Sequence, residues 1–224
     1  MKRVPFESLT MTCSRVVLVA ATAIVAACAG SGAGENFFAL NDGGVVQSTT
    51  TVAGTATQSQ SLPGIVISAV TVPELVDRPQ IVTRDAANRI VVSEQNLWAE
   101  PVRSGIARTL ATRVSRALSD AGRPAQVTFY PQSSIANPVL RITVDVVRFD
   151  AVPNGEAVID AIWSVRRTSD GMVRTGRTVA SAPIAGTTYD AIVHAWNEVL
   201  RVVDRDIATM VEQIGTGTLP PATR

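Results

Sequence analysis

The apolar positions of the chain follow two rhythms. Val102, Ile106, Leu110, Val114 and Leu118 recur every four residues, with Ala107, Ala117 and Ala121 beside them. A helix turns once in 3.6 residues, so this spacing puts them on one helical face. Pro101 suits the first turn, Gly122 the stop, and Pro124 lies beyond. Arg103, Arg113 and Arg116 fall on the polar side. From about 188 to 214, Ile192, Trp196, Val199, Val203, Ile207, Met210 and Ile214 step by three and four and predict a second helix. Thr187 and Asp190 are placed as its capping pair, with Gly215 as its end.

The second rhythm is that of strands. LRITVDVVRF (140–149) alternates Leu140, Ile142, Val144 and Val146 to one side. AVIDAIWSVRRT (157–168) and MVRTGRTVASAPI (172–184) follow, joined through Asn154-Gly155 and Asp170-Gly171. Both dipeptides favour tight hairpin turns, so these three strands form an antiparallel meander. Upstream, IVISAVTV (65–72) is β-branched and suits a buried strand. PELVDRPQ breaks it, and IVTR (81–84) and RIVV (89–92) flank Asp85 to Asn88 as a hairpin. The expected fold is α+β: a mostly antiparallel sheet with two amphipathic helices packed on one face.

FFAL (37–40) reads as a short first or edge strand. Residues 41–63 are rich in Ser, Thr, Gly and Gln and read as a low-complexity loop. So long a loop inside a domain is unusual. The alternative is a domain that begins at Pro63, with FFAL in the tether.

At the N-terminus, Lys2, Arg3 and Arg15 precede an apolar run from Val16 to Ala27, broken only by Thr22. A run of about a dozen residues fits a secretory signal and falls short of the roughly 20 needed to span a membrane. Val25, Ala26 and Ala27 lead into Cys28, and VAAC resembles a bacterial lipobox. On that reading Cys28 is acylated and becomes the first mature residue; the alternative is an ordinary signal with a bystander cysteine. Met11 serves equally well as the start. The expected organisation is a signal peptide at 1–27, lipidated Cys28 and tether at 28–36, one domain at 37–214 and a flexible tail at 215–224. The tether's eight residues reach about 28 Å at most, which keeps the domain near its membrane.

Composition removes several function classes. Loss of residues 1–27 takes three of 20 basic and one of 19 acidic residues, leaving a net charge near −1. That balance offers no global basic field for nucleic acid. Lys2 is the only lysine, so the mature chain has neither a P-loop nor a Schiff-base lysine. Cys13 leaves with the signal, and an acylated Cys28 forms no disulfide. With His194 the only histidine, the usual zinc sets cannot be assembled. No cofactor motif is present. Asp190 lies four residues before His194, as a surface helix pair would, and no G-x-S-x-G elbow accompanies them. No catalytic residue is assigned. Asp77-Arg78-Pro79 is a polar corner with a backbone constraint, readable as a partner-docking site or as a turn that satisfies its own backbone. Trp98 is readable as a contact or as core. The arginines of the first helix are readable as a solvated face or as a site for headgroups or an acidic partner.

Residues 72–118 carry DRPQIVTR, NRIVV, LWAEPV and IARTLATRVSRAL in that order. Together with the lipobox, they resemble the PqiC-type (YmbA-like) auxiliary lipoproteins of Pqi/MCE systems, where a short aromatic strand stands in the place of FFAL. The loop at 41–63 departs from that family in its length and polarity. The resemblance implies a periplasm-facing lipoprotein that works beside a membrane-spanning subunit and an MCE-domain tunnel subunit for lipids. It further implies a homo-oligomer anchored in the outer membrane through Cys28, a location that Ala29 favours under the family's sorting rule. Asp77, Arg78, Pro79 and Trp98 are the partner-binding candidates. Two other readings stand beside this one: an envelope scaffold or assembly factor with no transport role, and a lipid hydrolase using His194.

Overall fold

The computed structural model describes residues 34–41, 62–131 and 135–216. The signal peptide, Cys28, most of the tether, most of the 41–63 loop and the tail beyond 216 lie outside the described residues. The chain divides into two units, Met1–Glu35 and Asn36–Arg224. The description below concerns the second.

Its elements are β1 (Asn36–Phe38), β2 (Gly64–Thr71), β3 (Gln80–Arg84), β4 (Ile90–Trp98), α1 (Val102–Asp120), β5 (Gln126–Phe129), β6 (Leu140–Ala151), β7 (Glu156–Arg167), β8 (Val173–Pro183) and α2 (Tyr189–Thr216). A five-stranded sheet runs β5-β2-β6-β7-β8, and a three-stranded sheet runs β1-β4-β3. The fold is α+β, and both sheets are mixed rather than purely antiparallel. The meander β6-β7-β8 and the hairpin β3-β4 are antiparallel; β2 lies parallel to both β5 and β6, and β1 parallel to β4. Parallel neighbours need a long crossover, and α1 lies on the one from β2 to β5.

Both helices cover one face of the larger sheet, α1 over β2 and β5 and α2 over β7 and β8. The predicted stripes face that sheet. Val102, Ile106, Leu110, Val114 and Leu118 are buried on α1, as are Ile192, Trp196, Val199, Val203, Ile207 and Ile214 on α2. On β6, Leu140, Ile142, Val144 and Val146 point into the same core. The three-stranded sheet adds Ile81, Val82 and Trp98, and Leu40 after β1 is buried with them. Asn36–Phe38 pairs in register with Asn96–Trp98, and the Ala99 amide donates to the Phe38 carbonyl at 2.8 Å.

Five details correct the sequence reading. The short strand β5 had no place in it, and β4 extends on to Trp98. Thr188, not Thr187, caps α2: its hydroxyl accepts from the Ala191 amide at 3.3 Å, and its carbonyl accepts from Ile192. Helix α2 continues through Gly215 to Thr216. Arg113 leaves the polar face of α1 and is 7% exposed.

Gly176 on β8 is set by its neighbour across the sheet. A Cβ there would overlap the indole of Trp163, so only glycine lets that ring lie flat on the strand. The Trp163 Nε1 donates to Thr178 Oγ1 at 3.0 Å, and Thr178 donates to Asp206 on α2 at 2.6 Å. This chain ties the meander to the helix above it.

Candidate functional site

The corner Asp77-Arg78-Pro79 follows directly from local backbone chemistry. After Pro73 the chain makes a tight turn: the Pro73 carbonyl accepts from the amides of Val76 at 3.0 Å and Asp77 at 3.2 Å. Val76 is buried there and anchors the turn. The Arg78 amide donates to the Val76 carbonyl at 2.9 Å, and the Pro79 carbonyl accepts from the Trp98 amide at 2.7 Å. Pro79 has no amide to leave unpaired, which suits it to the position before β3.

These bonds bring all four predicted residues onto one groove. It has a volume of about 350 Å³ and is completed by Ala99, Glu100, Pro101 and Arg103. The four do not play equal parts. The Asp77 carboxylate faces Arg103 on α1 at 3.3 Å, so a first-helix arginine is held at the groove rather than waving in solvent. Arg78 and Pro79 are exposed. Among the described residues, the Arg78 guanidinium has no acidic partner. Trp98 belongs to the core: it is 6% exposed, its ring lies 5.4 Å from Trp196, and Trp196 stacks on Phe149 at 4.8 Å. The Trp196 Nε1 donates to the Asp150 carbonyl at 3.2 Å. Trp98 thus forms the floor of the groove from beneath, and Arg78 supplies its free charge.

Arg108, which the sequence reading did not single out, and Arg113, which it placed on the polar side, fasten the start of the domain to α1. Arg108 donates to the Leu40 carbonyl and to Glu100, the latter through Nε at 3.0 Å. Arg113 donates to the Asn41 carbonyl, to Asn197 Oδ1 at 3.1 Å, to the Asn197 carbonyl at 3.0 Å and to Asp204 Oδ2 at 3.1 Å. Neither arginine has an acid three or four residues away on its own helix, which left each open to solvent or to a distant acceptor. Burial pushes the Asp204 carboxyl up to about 7, against the opposing attraction of Arg113 and Arg201. Asp204 Oδ1, Arg113 Nε and Thr109 Oγ1 are buried without a hydrogen-bond partner.

His194 lies apart from all of this. Its imidazole is 76% exposed and sits 3.9 Å from Glu198, one turn on, rather than against Asp190. Among the described residues, no cluster of three metal-ligating side chains occurs and no helix is long and apolar enough to cross a membrane.

A family model described as "ABC-type transport auxiliary lipoprotein component" matches residues 47–208. None of the curated proteins matches the chain. Among solved structures, an uncharacterized protein superposes with a TM-score of 0.59 at 16% identity, covering 80% of this chain and 99% of its own. A Xanthomonas campestris protein of the DUF330 family superposes with a TM-score of 0.53 at 20% identity, covering 70% of this chain and 89% of its own. At such identities these likenesses concern the fold alone. The matched region takes in the corner, both arginine clamps and His194, and leaves β1 outside it.

Proposed function

The chain belongs to the ABC-type transport auxiliary lipoprotein family, and we propose that it is the outer-membrane-anchored docking subunit of an MCE-type intermembrane lipid transport system. In this role it maintains the envelope by binding, not by catalysis. Acylated Cys28 holds the domain at the periplasmic face, and the tether keeps it within reach of a tunnel subunit that arrives at the same surface. Confinement of this kind raises the effective concentration of one partner for the other.

The observation that carries the reading is the groove at the corner. It has a fixed backbone, a rigid aromatic floor at Trp98, an exposed Pro79 and one uncompensated cation at Arg78. Preorganised surfaces bind with less ordering cost than mobile ones. Arg108 and Arg113 lend support from below, since they fix the entry segment and α1 to one another. The strand β1 runs from Asn36 toward Trp98, so the groove lies at the end of β1 away from the point where the chain enters the domain.

The test is a photocrosslinking residue at position 78 of the full-length protein in cells. Capture of an MCE-domain protein, abolished by Cys28→Ala, supports the reading. Capture of outer-membrane proteins or peptidoglycan alone returns the chain to the scaffold reading.

A further inference from the structure

The larger sheet ends in an apolar cavity that the corner and its partners do not use. It lies where β2 and β6 begin and β7 ends, between the C-terminal turns of α1 and α2, and has a volume of about 450 Å³. Small-molecule sites occupy roughly 300–1,000 Å³. Its walls are Ile65, Leu118, Leu140, Val211 and Ile214, with the 46% exposed Val139 at the mouth. The frame is fixed by hydrogen bonds. The Val139 amide donates to Gly64 at 2.7 Å and Thr168 to the Val139 carbonyl at 3.0 Å. Arg123 donates to the Glu212 carbonyl at 3.3 Å and Arg167 to the Ile214 carbonyl at 3.4 Å.

Two arginines and one acid lie on the lining. Arg167 is answered by Asp170 at 2.8 Å. Arg123, on the lining, has no carboxylate partner among the described residues, and Glu212 is the one acid on the lining.

We propose that this cavity takes a single acyl chain of an anionic lipid, with its headgroup at Arg123. A methylene needs about the volume of a water, ~30 Å³, so the cavity holds on the order of a dozen or more carbons. The apolar walls drive entry of the chain, and Arg123 at the lining favours a negative head. The assignment stands on the cavity and adds a lipid contact to the docking role. A chain that captures its partner yet takes up no lipid keeps the proposed function and loses this one.

The test uses cells fed a diazirine fatty acid, irradiated, and lysed for purification of the full-length protein. Adducts are mapped by mass spectrometry. Adducts are expected on the peptides that carry Val139 and Leu140 and those that carry Val211 and Ile214, apart from any label on Cys28. An adduct mass of an intact anionic phospholipid or of the free fatty acid supports the assignment and identifies the source. Val139→Trp, with Ser169→Trp as a second filler, is expected to lower these adducts about tenfold while leaving the Cys28 label and the melting temperature unchanged. Arg123→Glu is expected to lower them about fivefold. Adducts absent from these peptides, or insensitive to both fillers, would overturn the assignment. So would labelling that needs removal of residues 217–224, which would give the cavity to the chain's own tail.

Discussion

One buried carboxylate gives the folded protein a pH dependence of unusual sign. Asp204 is 4% exposed and takes one charged hydrogen bond, from Arg113 at 3.1 Å, while its Oδ1 has no partner. Burial pushes its carboxyl from 3.8 up to about 7. The unfolded chain ionises this group near 3.8, so the native state holds the proton more tightly. Its stabilising contribution is complete below pH 3.8, falls as pH rises, and reaches its floor above about 7. Three pH units at about 1.4 kcal/mol each set the largest loss at roughly 4 kcal/mol. The acids with lowered values, Asp85, Asp160 and Asp170, owe them to hydrogen bonds from Arg89, Arg177 and Arg167, and so change charge below this window. The assay is urea denaturation at pH 5, 6, 7 and 8 on the native sequence and on Asp204→Asn. The amide keeps the shape and an acceptor for Arg113 but cannot ionise. The native protein is expected to lose stability steadily from pH 5 to 7 and then level off, while the variant stays flat across that range. His194 is present in both and cancels from the difference. A native profile that is level or rising from pH 5 to 8 refutes the reasoning, as does an unchanged slope in Asp204→Asn.

Three further outcomes follow from the packing and the site. Gly176→Val forces a side chain into the Trp163 ring, and overpacking of this kind costs about 1–3 kcal/mol; an unshifted urea midpoint would count against it. Arg108→Ala removes the bonds to Leu40 and Glu100 and is expected to cost about 1–2 kcal/mol, with faster amide exchange confined to residues 36–41; exchange unchanged in that segment would show that β1 is held by other means. His194→Ala removes only an exposed side chain, so stability within about 0.5 kcal/mol and an intact envelope are expected. Loss of envelope integrity in that variant would revive the hydrolase reading.

Periodicity made the helices and the meander readable. A stripe such as Val102 to Leu118 fixes both an element and its buried face, and Asn154-Gly155 fixes a turn. Other features depended on distant partners. The strand β5 is four residues long and carries no local signal that separates it from a loop; its order comes from pairing with β2 some sixty residues earlier. The parallel placing of β2 between β5 and β6 has the same origin. Arg113 looked solvated because its acceptors stand at Asn41, Asn197 and Asp204, all outside its own helix. The corner at Asp77 to Pro79 was legible as a constrained turn, but the partner of Asp77 proved to be Arg103 rather than nearby backbone. Trp98 was readable as contact or, more readily, as core, and Trp196 decides for core.

The central claim is that this domain docks a lipid tunnel at the outer membrane. It is met most directly by crosslinking the full-length protein in cells, extracting it in detergent, and measuring the molar ratio of any MCE-domain protein recovered with it. The account predicts near-stoichiometric recovery, reduced by Arg78→Glu with the fold intact. Recovery of outer-membrane proteins or peptidoglycan with no MCE-domain protein would contradict it.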